Sequence, residues 1–482
     1  MPVSPFRIAT LAAAACVAAC GCAAPSGSPG PPLLAPSPGP GPVRSAGAPA
    51  PRPQPAVVPV AYREVPPSDR TPPPAAPPAP ARPPLDGLTA LTAADVVGVV
   101  LERNPTLDQM RATAAVAAAR FPQVTSLDDP TLAFTTAPGS IGSANASYAA
   151  RVEVSQKLLY PGKRGLKGSA AKADALAAAE DVEDARLQLT EAARSALADY
   201  DLAVKATGVA EENAKLLGEF KKNAETRYKT GQGQQQDVLL ADVEIARQEE
   251  RLVSLRRARL VAVARLNTLM HLPPDGPLPP PADAERAAPL PEAARLREAA
   301  LGRPDVRAAV ARVAAEDATL ALALKEYNPD VEVMAAYDGF WQGPGGPPLQ
   351  WQVGARVNLP VRYARRGGAV DEARAKVAQK RAELARLTDR INYEVQEAFE
   401  RVREADEVVR LYETKILPAA EANVKEARTA YTNNKIPFLN LIEAQKNRAT
   451  LKDRYYEAVA EVARRRAALE RAVGGPLPVP GR

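Results

Sequence analysis

Two hydrophobic periods run along this chain, in separate stretches. From about 165 to 229, and again from about 368 to 432, apolar residues recur at steps of three and four. In the later stretch these are Leu384, Leu387, Ile391, Val395, Ala398, Val402, Ala405, Val409 and Tyr412; in the earlier one, Leu189, Ala193, Ala196, Tyr200 and Ala203. That spacing predicts long helices with a coiled-coil seam, and small Ala at seam positions lets a neighbouring helix come close. About 65 residues rising ~1.5 Å each make a rod of about 100 Å. Pro418 predicts a local kink in the second rod, because proline lacks the amide donor and crowds the preceding turn. A shorter helix is expected to open at Thr92, with Asp95 three residues on as in a capping box, and to run to about residue 120.

Four other stretches alternate with period two: 131–137, 148–156, 330–337 and 349–359. In the last, Leu349, Trp351, Val353, Ala355, Val357 and Leu359 face one way and Gln350, Gln352, Gly354, Arg356 and Asn358 the other. Val152 and Val154 likewise oppose Arg151, Glu153 and Ser155. One apolar and one polar face over about ten residues fits a transmembrane barrel strand; it also fits a pair of hairpins packed on a helix in a soluble protein. Trp341 and Trp351 lie in or beside the second hairpin, and Tyr148, Tyr160, Tyr337 and Phe340 lie near strand ends. Membrane-interface aromatics belong at such positions, and Tyr148, Tyr337, Trp341 and Trp351 are assigned to that girdle.

The pattern occurs twice, at an offset of about 200. Glu102-Arg103-Asn104-Pro105 answers Leu301-Gly302-Arg303-Pro304; Arg227-Tyr228-Lys229-Thr230-Gly231 answers Ala430-Tyr431-Thr432-Asn433-Asn434; Asp237-Val238-Leu239-Leu240-Ala241 answers Asn440-Leu441-Ile442-Glu443-Ala444. Each unit reads helix, strand, strand, long helix, turn, helix. The expected units are 88–272 and 291–475, joined by a Pro-rich connector over 273–290 and followed by a tail over 476–482.

Composition separates this body from what precedes it. About half of the 49 Pro fall before residue 85, and none lies between Pro161 and Pro273. Residues 21–87, rich in Pro, Ala, Gly and Ser, read as a disordered, polyproline-leaning linker. Residues 1–20 read as an export signal: Arg7 is followed by an apolar run of about a dozen residues, too short to span a bilayer. Val17-Ala18-Ala19-Cys20 resembles a bacterial lipobox, which would make Cys20 the lipid attachment site; a plain cleaved signal is the other reading.

The three Cys all lie in the first 22 residues, and the body has a single His, His271. This excludes a disulfide scaffold, a Cys zinc site and a Cys nucleophile there, and a lone His argues against His-based catalysis. No metal site or cofactor is expected. A net charge of +6 over mixed signs reads as a solvated surface and gives no nucleic-acid footprint. Gly162-Lys163-Arg164-Gly165-Leu166-Lys167-Gly168-Ser169 follows a strand and opens a helix, but lacks the Gly-Lys-Ser/Thr ending of a phosphate loop. Its basic cluster is expected to cap the junction at the membrane edge, and no enzyme activity is expected.

No stretch after the leader has 18 consecutive apolar residues, so no helix is expected to span a membrane. If the strands span, their sheet must close on itself, and closed barrels need about eight strands or more. One chain supplies four, so it must borrow strands from identical neighbours; three copies give twelve, together with helical rods that continue the cylinder.

The duplicated unit, the junction Leu159-Tyr160-Pro161-Gly162-Lys163-Arg164, and the turn Arg227-Tyr228-Lys229-Thr230-Gly231 followed by Gln236-Asp237-Val238-Leu239 together resemble the TolC-type outer-membrane efflux protein family, over roughly 88–475. The resemblance implies a mainly α fold with membrane β, in which a homotrimer shares a 12-stranded β-barrel in the outer membrane of a Gram-negative-type bacterium. Its long coiled-coil helices form a periplasmic α-barrel. It implies a passive exit duct whose tips, with Arg227, Tyr228, Gly231, Asp237, Leu239, Tyr431, Lys435 and Leu439, meet a periplasmic adaptor that links the duct to an inner-membrane pump. It also implies a pore constriction at Glu443 and Asn440, the latter standing where some relatives carry a carboxylate. Three such Glu around a narrow pore would repel one another and attract cations; a Glu on a solvated helix face is the plainer alternative. Arg227 and Lys435 are expected to pair with acidic groups or to sit in water, and Gly231 and Gly233 to take turn positions with φ > 0. The spacing over 231–237 and the run Ala264-Arg265-Leu266-Asn267-Thr268-Leu269 are similar to the heavy-metal branch, although few soft ligands are present to hold a metal. An envelope-spanning coiled-coil lipoprotein without a pore remains as an alternative, and so does the adaptor itself, which would need a lipoyl-like β domain between its helix arms.

Overall fold

The computed structural model describes residues 85, 87–137, 150–282, 289–339 and 350–477. Cys20, most of the linker, Tyr148, Phe340 and Trp341 lie outside them. The same order of elements occurs twice. First come α1 (Ala93–Arg103), α2 (Pro105–Thr125), β1 (Thr131–Thr136), β2 (Ala150–Leu158), α3 (Lys163–Lys229) and α4 (Gln235–Leu269). Then come α5 (Ala293–Ala300), α6 (Pro304–Lys325), β3 (Val331–Gly339), β4 (Gln350–Val357), α7 (Tyr363–Leu411), a π-helical turn (Tyr412–Ile416), α8 (Leu417–Thr432) and α9 (Phe438–Val473).

The duplication reaches single backbone angles. Gly231 and Asn434 hold positive φ at the two helix–helix turns, and His271 and Gly474 hold it just past α4 and α9. Both pairs are 203 residues apart. Gly231 needs the freedom that glycine gives. Gly233 does not have a positive φ; a Cβ there would press on Arg227 Cβ at 3.1 Å and Tyr228 N at 3.2 Å, so close approach is what requires that glycine.

Thr92 and Asp95 form the expected capping box. The helix it opens does not run to residue 120: Asn104 stops α1 and caps α2. Its side chain accepts from Thr106 N at 2.9 Å and donates to the Leu269 carbonyl at 2.8 Å, and Pro105 takes the first helical position. The second rod is also divided. The residue before a proline resists the helical conformation, yet the chain stays wound through Pro418 by widening into the π-helical turn just before it.

The long helices pack by the seam read from sequence. Ala193, Ala196 and Tyr200 of α3 are buried with α1 and the end of α4. Ile391, Val395 and Val402 of α7 are buried with α5 and α9. A third cluster gathers Leu217, Phe220, Tyr431, Phe438 and Leu441, drawing the tips of both units together. No helix among the described residues is long and apolar enough to cross a membrane.

Candidate duct wall and tip

The four strands form one antiparallel sheet in the order β1-β2-β3-β4. Pairing of β2 with β3 joins the two hairpins, and it leaves β1 and β4 as edges. Among the described residues the strands pack on one another and not substantially on the helices, which speaks against hairpins folded onto a helix. Register sorts the side chains. One face carries Leu132, Phe134, Val152, Val154, Val333, Tyr337, Trp351, Val353 and Val357, and no charged residue of the strands lies on it. Trp351 and Val353 are 75% and 86% exposed. The opposite face holds every charge of the strands: Arg151, Glu153, Lys157, Glu332, Asp338 and Arg356. An exposed apolar band backed by a polar face is what a membrane barrel requires. Tyr337 and Trp351 pair edge to face at 4.9 Å towards the hairpin ends. At the helix-proximal end Tyr327 and Tyr363 stack at 6.3 Å, a pair the alternation did not mark because both lie outside the strands.

At the strand-to-rod junction the basic cluster divides. Arg164 is exposed, whereas the Lys163 side chain is 1% exposed. Its ammonium donates to Asp330 at 2.9 Å, to the Asn328 carbonyl at 3.0 Å and to Glu326 at 3.4 Å. Asp330 also accepts from Tyr160 N at 2.9 Å. Burial alone would raise the Asp330 carboxyl, but the Tyr160 amide and Lys163 outweigh it and hold the carboxyl below its ordinary value. Gly162, at φ 89°, makes the turn; a Cβ there would collide with Lys325 Nζ.

At the far end of the rods, the tips pair differently from expectation. Arg227 donates to the Tyr431 carbonyl at 2.7 Å and to the Asn434 side chain, and its guanidinium lies over the Tyr431 ring at 4.6 Å. It binds a carbonyl, an amide and a ring where an acidic partner or water was expected, and it ties one tip to the other. Tyr431 is buried, and its ring lies tilted against that of Phe438 with centroids 5.2 Å apart. Burial pushes the Asp237 carboxyl up, against the opposing effects of the Gln234 amide and Arg227. Burial, with the nearby Asp237 charge, also pushes the Tyr431 phenol up. Glu443 and Asn440 are exposed on the first turns of α9, and Tyr228, Leu239, Leu439 and Lys435 are exposed around the same tip.

Residues 96–270 match the family described as outer membrane efflux protein. The chain shares its fold with outer-membrane channels of known structure. The outer-membrane channel OprN superposes with a TM-score of 0.66 at 21% identity, over 80% of this chain and 90% of its own. VceC, an outer membrane protein of Vibrio cholerae, gives 0.67 at 16%, over 80% and 97%. The MtrE outer membrane channel of Neisseria gonorrhoeae, in its open state, gives 0.66 at 16%, over 80% and 89%. At such identities the likeness is one of fold. No curated protein matches the sequence. In this chain the sequence marked the strands, the seams and both helix–helix turns. It missed Lys163 and the buried Asn213–Gln445 hydrogen bond of 2.9 Å between α3 and α9, because such pairs join residues far apart in the chain.

Proposed function

We propose that this protein is the outer-membrane channel of a tripartite efflux system, a passive exit duct with no reaction of its own. One observation carries the reading: a sheet with a charge-free exposed face ends in two unpaired edge strands. In lipid such edges must be paired. The alternating strand directions let β4 of one copy meet β1 of the next in antiparallel fashion, and three copies give a closed twelve-stranded barrel. The rods support the same closure. On α4, the face away from α3 carries Leu239, Val243, Val253 and Leu260, all exposed, along with Ala246, at heptad spacing. A helix with seams on two sides belongs in a cylinder of helices.

In this reading the barrel lies in the outer membrane, the rods cross the periplasm, and the exposed tip residues Tyr228, Leu239, Lys435 and Leu439 meet a periplasmic adaptor that leads to an inner-membrane pump. Units 88–272 and 291–475 are the two repeats, and Cys20 carries a lipid. Glu443, helped by Asn440, lines the constriction. Purified protein in planar bilayers is expected to give stepwise ion currents, whereas a tether without a pore gives none at any protein load. Glu443→Ala is expected to raise conductance or weaken cation preference, and unchanged current refutes its role as a gate.

A further inference from the structure

We infer that the barrel section of the duct is built to be electrically silent, and that Arg151 makes it so by masking Asp338. The inference rests on the channel reading, in which the polar face of the sheet lines the lumen. That face carries three cationic and three carboxylate side chains per chain, and the two carboxylates of β3 are each closed off by a neighbouring strand.

Arg151 Nε donates to Asp338 Oδ1 at 2.7 Å and its Nη2 to Oδ2 at 3.0 Å, a bidentate fork. Gln352 completes a ring: its amide nitrogen donates to Asp338 Oδ2 at 2.8 Å, and its oxygen accepts from Arg151 Nη2 at 3.0 Å. The Asp338 side chain is left 2% exposed on a face that should be wet. Six residues away on the same strand, Glu332 accepts from Ser155 at 2.8 Å and from Arg356 at 2.9 Å. At these two positions a passing ion therefore meets dipoles in place of net charges, whose field decays faster with distance than that of a lone carboxylate, and Glu153 and Lys157 of β2 add one charge of each sign, so the face carries no net charge. The unpaired carboxylate at Glu443 lies at the other end of the molecule, so ion choice belongs to the tip and the barrel stays neutral.

The Arg151–Asp338 pair also staples one hairpin to the other, and a staple alone would change stability without changing selectivity. The test is the reversal potential of the trimer in planar bilayers under a KCl gradient, in a Glu443→Gln background so that the tip carboxylate does not dominate. Arg151→Gln is expected to uncover three carboxylates and raise potassium over chloride permeability about twofold or more. Asp338→Asn, which leaves Arg151 uncompensated, should shift preference toward chloride, and the double variant should return to the parent value. Reversal potentials that stay at the parent value in both single variants overturn the inference. If Arg151→Gln does not assemble, Asp338→Asn decides alone: a shift toward chloride supports the inference and no shift overturns it. A parent protein that passes no current refutes the channel reading itself.

Discussion

Lys163 shows how much one side chain holds at the point where strands become rods. Its ammonium is buried and reaches back to the turn between α6 and β3, so it locks the first unit to the second. Replacing one partner of a buried pair leaves the other charged and unpaired, which costs about 3–5 kcal/mol. Lys163→Met should therefore lower the thermal midpoint of the detergent-solubilised protein sharply. The double variant Lys163→Met/Asp330→Leu should recover part of the loss, because no buried charge is then orphaned. A single variant as stable as the parent would show that the ammonium is not holding the junction. In the sequence Lys163 stands beside Arg164 and Lys167 and looks like its neighbours; its carboxylate partners are 163 and 167 residues away, beyond the reach of any local pattern.

At the scale of elements, period and position were readable because each helix or strand must bury one face. Ala193, Ala196, Tyr200, Ile391, Val395 and Val402 are buried as their spacing demanded, and the strand alternation survives intact in the register. What could not be read was how helices break: Asn104 divides a continuous apolar pattern by capping, and Pro418 is absorbed by a π turn that periodicity does not encode. The outward seam of α4 gives a prediction at this scale. Val253 and Leu260 are 65% and 68% exposed, so Val253→Glu/Leu260→Glu removes nothing from the fold of a single chain. In the assembled cylinder the same change would bury carboxylates in an apolar seam, which is strongly unfavourable. The variant is expected to keep its helical circular dichroism and lose the trimer in native mass measurement. A trimer that persists would mean this seam faces water.

The whole molecule is held by ion pairs between rods, and these set its response to acid. Glu461 on α9 is held below the usual carboxylate range chiefly by Arg465, then by Arg464, and the same two arginines reach Glu404 on α7 and Asp199 on α3. Glu212 on α3 is also held low: burial works against ionisation, but Arg448 and Lys452 of α9 outweigh it. Carboxyls with lowered values contribute stability at pH above their ordinary value, about 4.5, and lose it as pH falls through the lower folded value. Asp237 at the tip behaves in the opposite sense. Burial raises its value, so it favours the folded tip at low pH, and that contribution is lost as pH rises through the raised value. Acid should therefore loosen the rods while tightening the tips. Hydrogen exchange at pH 7 and near pH 4, corrected for the intrinsic rate, is the measurement: protection along α3 and α9 should fall and protection at the 229–237 turn should hold or rise. Glu461→Gln/Glu212→Gln should flatten the response of the rods, and Asp237→Asn should strengthen the tip at neutral pH and abolish its gain on acidification. Equal loss of protection at both ends would mean that the tip carboxyl is not paying a burial cost.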